Sequence, residues 1–231
     1  MSIFEAAIGW LAPPVCLGCG EEGSAFCEAC IAGEVTPFGS RCWRCGSLSS
    51  RSRTCDRCRQ SGTPRHVWAS TDYEPIAKKL IAAYKFGHLR AAAEPITSIM
   101  ADTFLGFNSD KQVKEAGYLI VPVPSATSRL RERGFGHAEL LAKILSGKLG
   151  LEYKPVLGRI GQNRQVGSSR PNRLSQTAGT YFIKQIDKVK GRNILLVDDV
   201  ITTGATLRAA AQALRAAGAK QIDALVFAKR L

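Results

Sequence analysis

Cysteine is absent from residues 59–231, and lysine is absent from residues 1–64. No window of about 18 apolar residues occurs, so no membrane-spanning helix is expected. A G-x-x-x-x-G-K-[ST] stretch is also missing, which argues against a P-loop nucleotidase. The opening MSIFEAAI has no cationic n-region, and Pro13 and Pro14 cut its apolar stretch. That is not the pattern of a secretory signal, and a cytoplasmic protein is expected. A shortage of apolar residues is not among the absences. They make up 45% of 231 residues, enough to fill a core, and disorder is excluded. The length suits one α/β domain with a small accessory module.

All eight cysteines fall in four Cys-x-x-Cys pairs: Cys16/Cys19, Cys27/Cys30, Cys42/Cys45 and Cys55/Cys58. Eight cysteines without a secretory signal read as metal ligands rather than disulfides. Two intervening residues let one tight turn aim both sulfurs at one ion. Gly20 and Gly46 follow the first and third pairs, where a knuckle benefits from a residue that tolerates positive φ. Two structural zinc ions in successive four-thiolate ribbons are expected, 16/19/27/30 and 42/45/55/58. An interleaved pairing, 16/19/42/45 with 27/30/55/58, stays open.

The chain has 32 Lys and Arg against 19 Asp and Glu, a formal charge of +13. Such an excess points to an anionic partner without saying which. It is unevenly placed. Residues 1–64 are neutral, with five Glu in 1–35 and six Arg against Asp56 in 36–64. Residues 129–192 alone carry +10. Within them, 159–176 is rich in Arg, Gly, Ser and Asn, has no acid, and reads as a loop.

A boundary at Ser61-Gly62-Thr63-Pro64 divides the chain into a ribbon module, 1–64, and a larger domain, 65–231. Apolar spacing predicts helices over 73–86, 91–104, 138–149 and 206–217. Strands are expected over 118–123, 155–160, 180–184, 193–197 and 221–227. The unbroken apolar run of 193–197 suits a strand buried on both faces. Strands alternating with helices predict an α/β fold, a doubly wound and mostly parallel sheet.

The most informative stretch is ILLVDDVITTGAT at 194–206. A buried strand ends in Asp198 and Asp199, and a short turn then enters a helix. Ligands of open α/β sheets sit beyond the carboxyl ends of strands. A helix start offers free N–H groups and a positive dipole end to a phosphate. Thr202, Thr203 and Thr206 add hydroxyls, and Gly204 admits close backbone approach. The two carboxylates repel phosphate and suit sugar hydroxyls. A ribose 5-phosphate satisfies both demands.

This stretch resembles the phosphoribosyl pyrophosphate (PRPP) signature of type I phosphoribosyltransferases. With the paired cysteines, YKFG at 84–87, VPVP at 121–124, RLRERGF at 129–135 and the basic loop, the chain resembles the ComF/GntX family, associated with competence. The resemblance runs from about Leu11 to Leu231. It implies a PRPP site built from Asp198, Asp199, Val200, Ile201, Thr202, Thr203, Gly204, Ala205 and Thr206. Ser125, Arg131 and Arg133 would face the pyrophosphate. A mobile loop within 162–179 would carry Arg164, Gln165, Arg170 and Arg173. The family's Arg-Gly-Phe-Asn-Gln is here Arg133-Gly134-Phe135-Gly136-His137, which makes His137 a site candidate. Gln176 stands where the family often has Asn.

Two functions follow from the resemblance. One is transfer of phosphoribosyl from PRPP with magnesium to an unknown acceptor, with Asp198 and Asp199 in the catalytic site. The other is a PRPP-sensing module or adaptor that binds single-stranded DNA, with competence-machinery proteins as further partners. Stacking support for DNA is thin, since Trp43, Trp68, Tyr73, Tyr84 and Phe86 are scattered. His66 and His88 read as surface or packing residues. Phe4, Ile8, Trp10 and Leu11 read as packing on the ribbons.

Overall fold

The computed structural model describes residues 13–86, 89–125, 136–160 and 180–230. Chain order runs through helix α1 (Glu28–Glu34), strand β1 (Val67–Asp72), α2 (Pro75–Lys85), α3 (Ala93–Phe107), α4 (Asp110–Ala116), β2 (Leu119–Pro122), α5 (His137–Leu149), β3 (Glu152–Tyr153), β4 (Leu157–Arg159), β5 (Tyr181–Ile183), β6 (Asn193–Ile201), α6 (Ala205–Ala216) and β7 (Gln221–Lys229). Five strands form one sheet in the order β1-β7-β6-β2-β3. Every pairing in it is parallel. The expected α/β architecture is therefore present.

Alternation along β6 shows why the run is apolar throughout. Leu195 and Val197 face one core with α2, α3 and α5. Ile194 and Leu196 face the other with α6. Parallel strands covered on both sides have no solvent face to carry polar residues.

The cysteine-bearing segments straddle the sheet. Cys16 and Phe26 join the first core, while Phe38 and Trp43 join the second. Between them the chain crosses the free edge of β1. Pro37 bridges Thr71, Phe38 N–H donates to Ser70 O at 3.3 Å, and Thr71 Oγ1 donates to Thr36 O at 2.7 Å. An edge strand that would otherwise offer unpaired backbone is thereby covered.

Some expectations need correction. The strands expected over 155–160 and 180–184 exist as β4 and β5, but they leave the sheet and pair with each other antiparallel. The two-residue β3 takes the sheet edge beside β2 instead. Strand β1 was not expected, because VWASTD has neither alternation nor a long apolar run. Ser70 and Thr71 are buried there by the crossing segment, to which the Ser70 carbonyl and the Thr71 hydroxyl are paired. Helix α4 was missed too, although Ser109 and Gln112 form a reciprocal capping box that marks its start.

Candidate functional site

Each half of the N-terminal segment begins with the same knuckle. Gly20 N–H donates to Cys16 O at 3.0 Å, and Gly46 N–H to Cys42 O at 2.8 Å. Both glycines hold positive φ, +82° and +71°, as their position after a Cys-x-x-Cys turn requires. The sulfurs gather in two successive groups, Cys16/Cys19/Cys27/Cys30 and Cys42/Cys45/Cys55/Cys58, within 4.8 Å of one another. The interleaved pairing is not formed. A tetrahedral ion with Zn–S bonds of about 2.3 Å sets sulfurs about 3.8 Å apart. The separations Cys19–Cys27 and Cys45–Cys55 are both 3.7 Å.

The chemistry of these thiols also fits a cation. Burial pushes the Cys16 thiol up, but the N–H groups of Cys27, Cys19 and Gly18 outweigh it and hold it at about 6. The Ser47 side chain and backbone bring Cys45 down to about 6. Burial and neighbouring cysteines push Cys30 and Cys58 up to about 12. Four crowded thiols cannot all ionise unless a positive ion sits among them. Both groups could hold zinc ions.

At the carboxyl end of the sheet, β6 runs on to Ile201 and carries Asp198 and Asp199 past the body of the sheet. Asp199 is 7% exposed and pairs with Lys85, whose Nζ lies 2.6 Å from Oδ1. Lys85 comes from the last turn of α2, where a cation also complements the helix dipole. Asp198 is half-buried, and its Oδ1 accepts the Asp199 N–H at 2.9 Å. Burial, reinforced by the Asp199 carboxylate, pushes the Asp198 carboxyl up to about 8, against the pull of Lys85 and Arg159.

The turn that follows presents Thr202, Thr203, Ala205 and Thr206 to solvent, with Gly204 buried. Thr203 Oγ1 accepts the Ala205 N–H at 3.4 Å at the start of α6. Gly204 has φ +71°, and a Cβ there would fall on the Trp43 ring. Lys229, buried at the end of β7, donates from Nζ to Thr202 O at 3.2 Å, and burial lowers its pKa. So an exposed threonine turn at a helix N-terminus is held from below by Trp43 and from the side by a cation.

Ser125 lies just past β2, the strand that pairs with β6 on the Asp198 side, and is half-buried. Arg159 stands on β4 with its guanidinium 5.8 Å from the centre of the Tyr181 ring. Its charge acts on Asp198, so the β4–β5 ribbon flanks the carboxylates. Val200 is half-buried and Ile201 buried, as β6 residues beside the turn. His137 is buried at the start of α5, its ring 4.9 Å from Tyr84 and its carbonyl accepting the Tyr84 hydroxyl at 2.8 Å. Arg131, Arg133, Arg164, Gln165, Arg170, Arg173 and Gln176 lie outside the described residues, as do His88, Phe4, Ile8, Trp10 and Leu11.

Lys85 has no sequence signal for this role beyond its place in YKFG at 84–87. Asp223, inside the apolar run of β7, carries no such signal either. That carboxylate, fully buried on β7, accepts from His66 N–H at 2.9 Å and the Tyr118 hydroxyl at 2.6 Å. His66 Nδ1 lies 3.1 Å away. His66 is thus a structural residue, as read, but by a buried polar network rather than by packing alone.

Residues 133–231 match the phosphoribosyl transferase domain. The chain is 30% identical over 188 residues to the competence protein ComFC of Bacillus subtilis, covering 80% of this chain and 72% of that one. It is 27% identical to ComFC of Streptococcus pneumoniae, covering 87% and 86%. It is 26% identical to the DNA utilization protein YhgH of Escherichia coli K12, covering 82% and 84%.

Proposed function

The chain belongs to the ComF family, and from that premise we propose that its phosphoribosyltransferase-like domain binds PRPP with magnesium at the carboxyl end of β6. One observation carries the reading: a carboxylate pair, Asp198 and Asp199, adjoins a solvent-facing threonine turn at the start of α6. The 5-phosphate takes the backbone N–H groups of the first turn and the hydroxyls of Thr202, Thr203 and Thr206. The ribose hydroxyls donate to Asp198 and Asp199. Lys85 offsets the repulsion between these carboxylates and an anionic ligand. Ser125, Arg131 and Arg133 take the pyrophosphate, and Arg164, Gln165, Arg170 and Arg173 close over it. Magnesium supplies charge neutralisation of the diphosphate. Residues 1–64 form the metal module, with zinc as its two structural ions.

Transfer to an acceptor follows the same binding mode. Pyrophosphate departs with the electron pair of the C1–O bond, positive charge develops on the sugar, and a nucleophilic acceptor atom gives its lone pair to C1 and loses its proton, while loop closure keeps water away. Calorimetry with PRPP and magnesium tests binding: affinity should fall at least tenfold in Asp198→Asn/Asp199→Asn. Unchanged affinity in that variant sinks the reading. Pyrophosphate release across a nucleobase panel tests transfer, with the same variant as control. A second reading rests on the +13 charge and on relatives named for competence and DNA utilization. In it the domain senses PRPP while the basic surface binds single-stranded DNA, with salt-dependent affinity.

A further inference from the structure

The opposite end of the sheet holds a second concentration of positive charge. A cleft of about 240 Å³ opens between the second cysteine ribbon and the amino end of β7. Arg53, Arg59 and Arg65 reach it from the ribbon and its exit, and Arg215 and Lys220 from the α6–β7 corner. None of the lining residues is acidic. The charge has partial counterweights. Asp56, largely exposed, pairs with Arg59 and stands 4.0 Å from Arg53. Arg215 sits in the last turn of α6, where a cation suits the helix dipole. Arg65 and Lys220 have no such account, and Arg65 Nη1 is oriented by Gln221 Oε1 at 3.0 Å.

A cleft lined by charge of one sign focuses its field and concentrates counter-ions. Arginine forks match phosphate oxygens in geometry as well as charge. The walls also say what is not recognised. Ile222 is the one apolar side chain in the lining, it is fully buried, and no aromatic residue joins it. Nothing there stacks a base or holds an acyl chain. We propose that this cleft is a second anion site, for a small ligand carrying two or more linked phosphates, separate from the ribose-phosphate site.

The cleft is built from segments about 150 residues apart, and one helix joins it to the other site. Along α6 the second ribbon touches Gly204 through Trp43, Arg208 through Gln60 and Gln212 through Ser61, and it meets Arg215 at the cleft. The spacing of four, four and three residues is one helix face. A polyphosphate bridging Arg59 and Lys220 ties the ribbon to this helix and so stabilises the seat of the phosphate turn.

The test is calorimetric titration of the metal-loaded full chain with tripolyphosphate, without magnesium, at 0.15 M salt. Arg59→Gln/Lys220→Gln changes two exposed side chains and should weaken binding at least tenfold. Lys78→Gln/Lys79→Gln removes the same charge from the exposed face of α2, at the carboxyl end of the sheet, and should change it less than twofold. Asp198→Asn/Asp199→Asn should leave the cleft's affinity intact, which separates this site from the PRPP reading. No binding, equal weakening in both lysine-bearing variants, or no change in Arg59→Gln/Lys220→Gln overturns the proposal. A labelled single-stranded oligonucleotide forms the second arm. If it needs Arg59 and Lys220 while tripolyphosphate does not bind, the cleft reads a polynucleotide backbone and the proposal fails.

Discussion

The Asp198–Asp199–Lys85 cluster concentrates the electrostatics of the site in three side chains. Lys85→Met leaves Asp199 nearly buried without its cation. Truncating one partner of a buried pair costs about 3–5 kcal/mol, and the partial exposure of Lys85 trims this to about 2 kcal/mol. The urea midpoint should fall accordingly, and PRPP affinity with it. Asp198 carries a pH signature. Its folded pKa is raised to about 8 from an ordinary value near 3.8. Folded protein therefore binds the proton more tightly, and its contribution to stability is full below about pH 4 and lost as pH rises through about 8. Asp198→Asn should flatten that part of the curve, read as urea midpoints at pH 5 and pH 8. Asp223 acts in the opposite sense. Its hydrogen bonds with His66, Tyr118 and Gln221 outweigh burial and lower its pKa, so its contribution disappears on the acid side, below about pH 4.

At the scale of elements, α6 and the ribbon lying along it form one mechanical unit. Gly204 is required twice, by its positive φ and by the Trp43 ring packed against it. Gly204→Ala should cost about 2 kcal/mol or more and weaken PRPP binding, checked by denaturation and calorimetry. Trp43→Leu should destabilise by about 3 kcal/mol, because it empties a core position and removes the Nε1–H that the Thr54 hydroxyl accepts at 3.0 Å, leaving that hydroxyl only its bond to Pro64 O. The threonine turn was legible from sequence because a strand-to-helix phosphate turn has a local grammar. The partner that seats it was not. Trp43 precedes Gly204 by 161 positions, and no periodicity connects them.

Across the whole molecule, the two four-cysteine groups anchor opposite faces of one sheet. Cys16 and Phe26 belong to the core with α2, α3 and α5, and Trp43 to the core with α6. Removing the metal with a strong chelator should therefore lower the melting temperature of the parallel sheet as well as unfold the ribbons, followed by tryptophan fluorescence and hydrogen exchange. Cys42→Ser/Cys45→Ser should raise exchange around 202–206 more than Cys16→Ser/Cys19→Ser does. No helix among the described residues is long and apolar enough to cross a membrane.

Local chemistry settled a good part of this protein in advance. Paired thiols two residues apart need only one turn to converge. A strand buried on both faces must be apolar throughout, and a carboxylate pair followed by a threonine-glycine turn marks the strand-to-helix junction within thirteen residues. The tertiary structure decided what depends on distant segments. It chose which cysteine pairs gather into one group, sent β4 and β5 out of the sheet, covered the β1 edge, and brought Lys85 to Asp199 and Arg59 toward Lys220. These are long-range pairings between surfaces with no periodic signal of their own, so only the packed chain reveals them. The missing lysines and late cysteines now have a spatial meaning: the cysteine segments clamp both faces of the sheet, and their arginines line its far end.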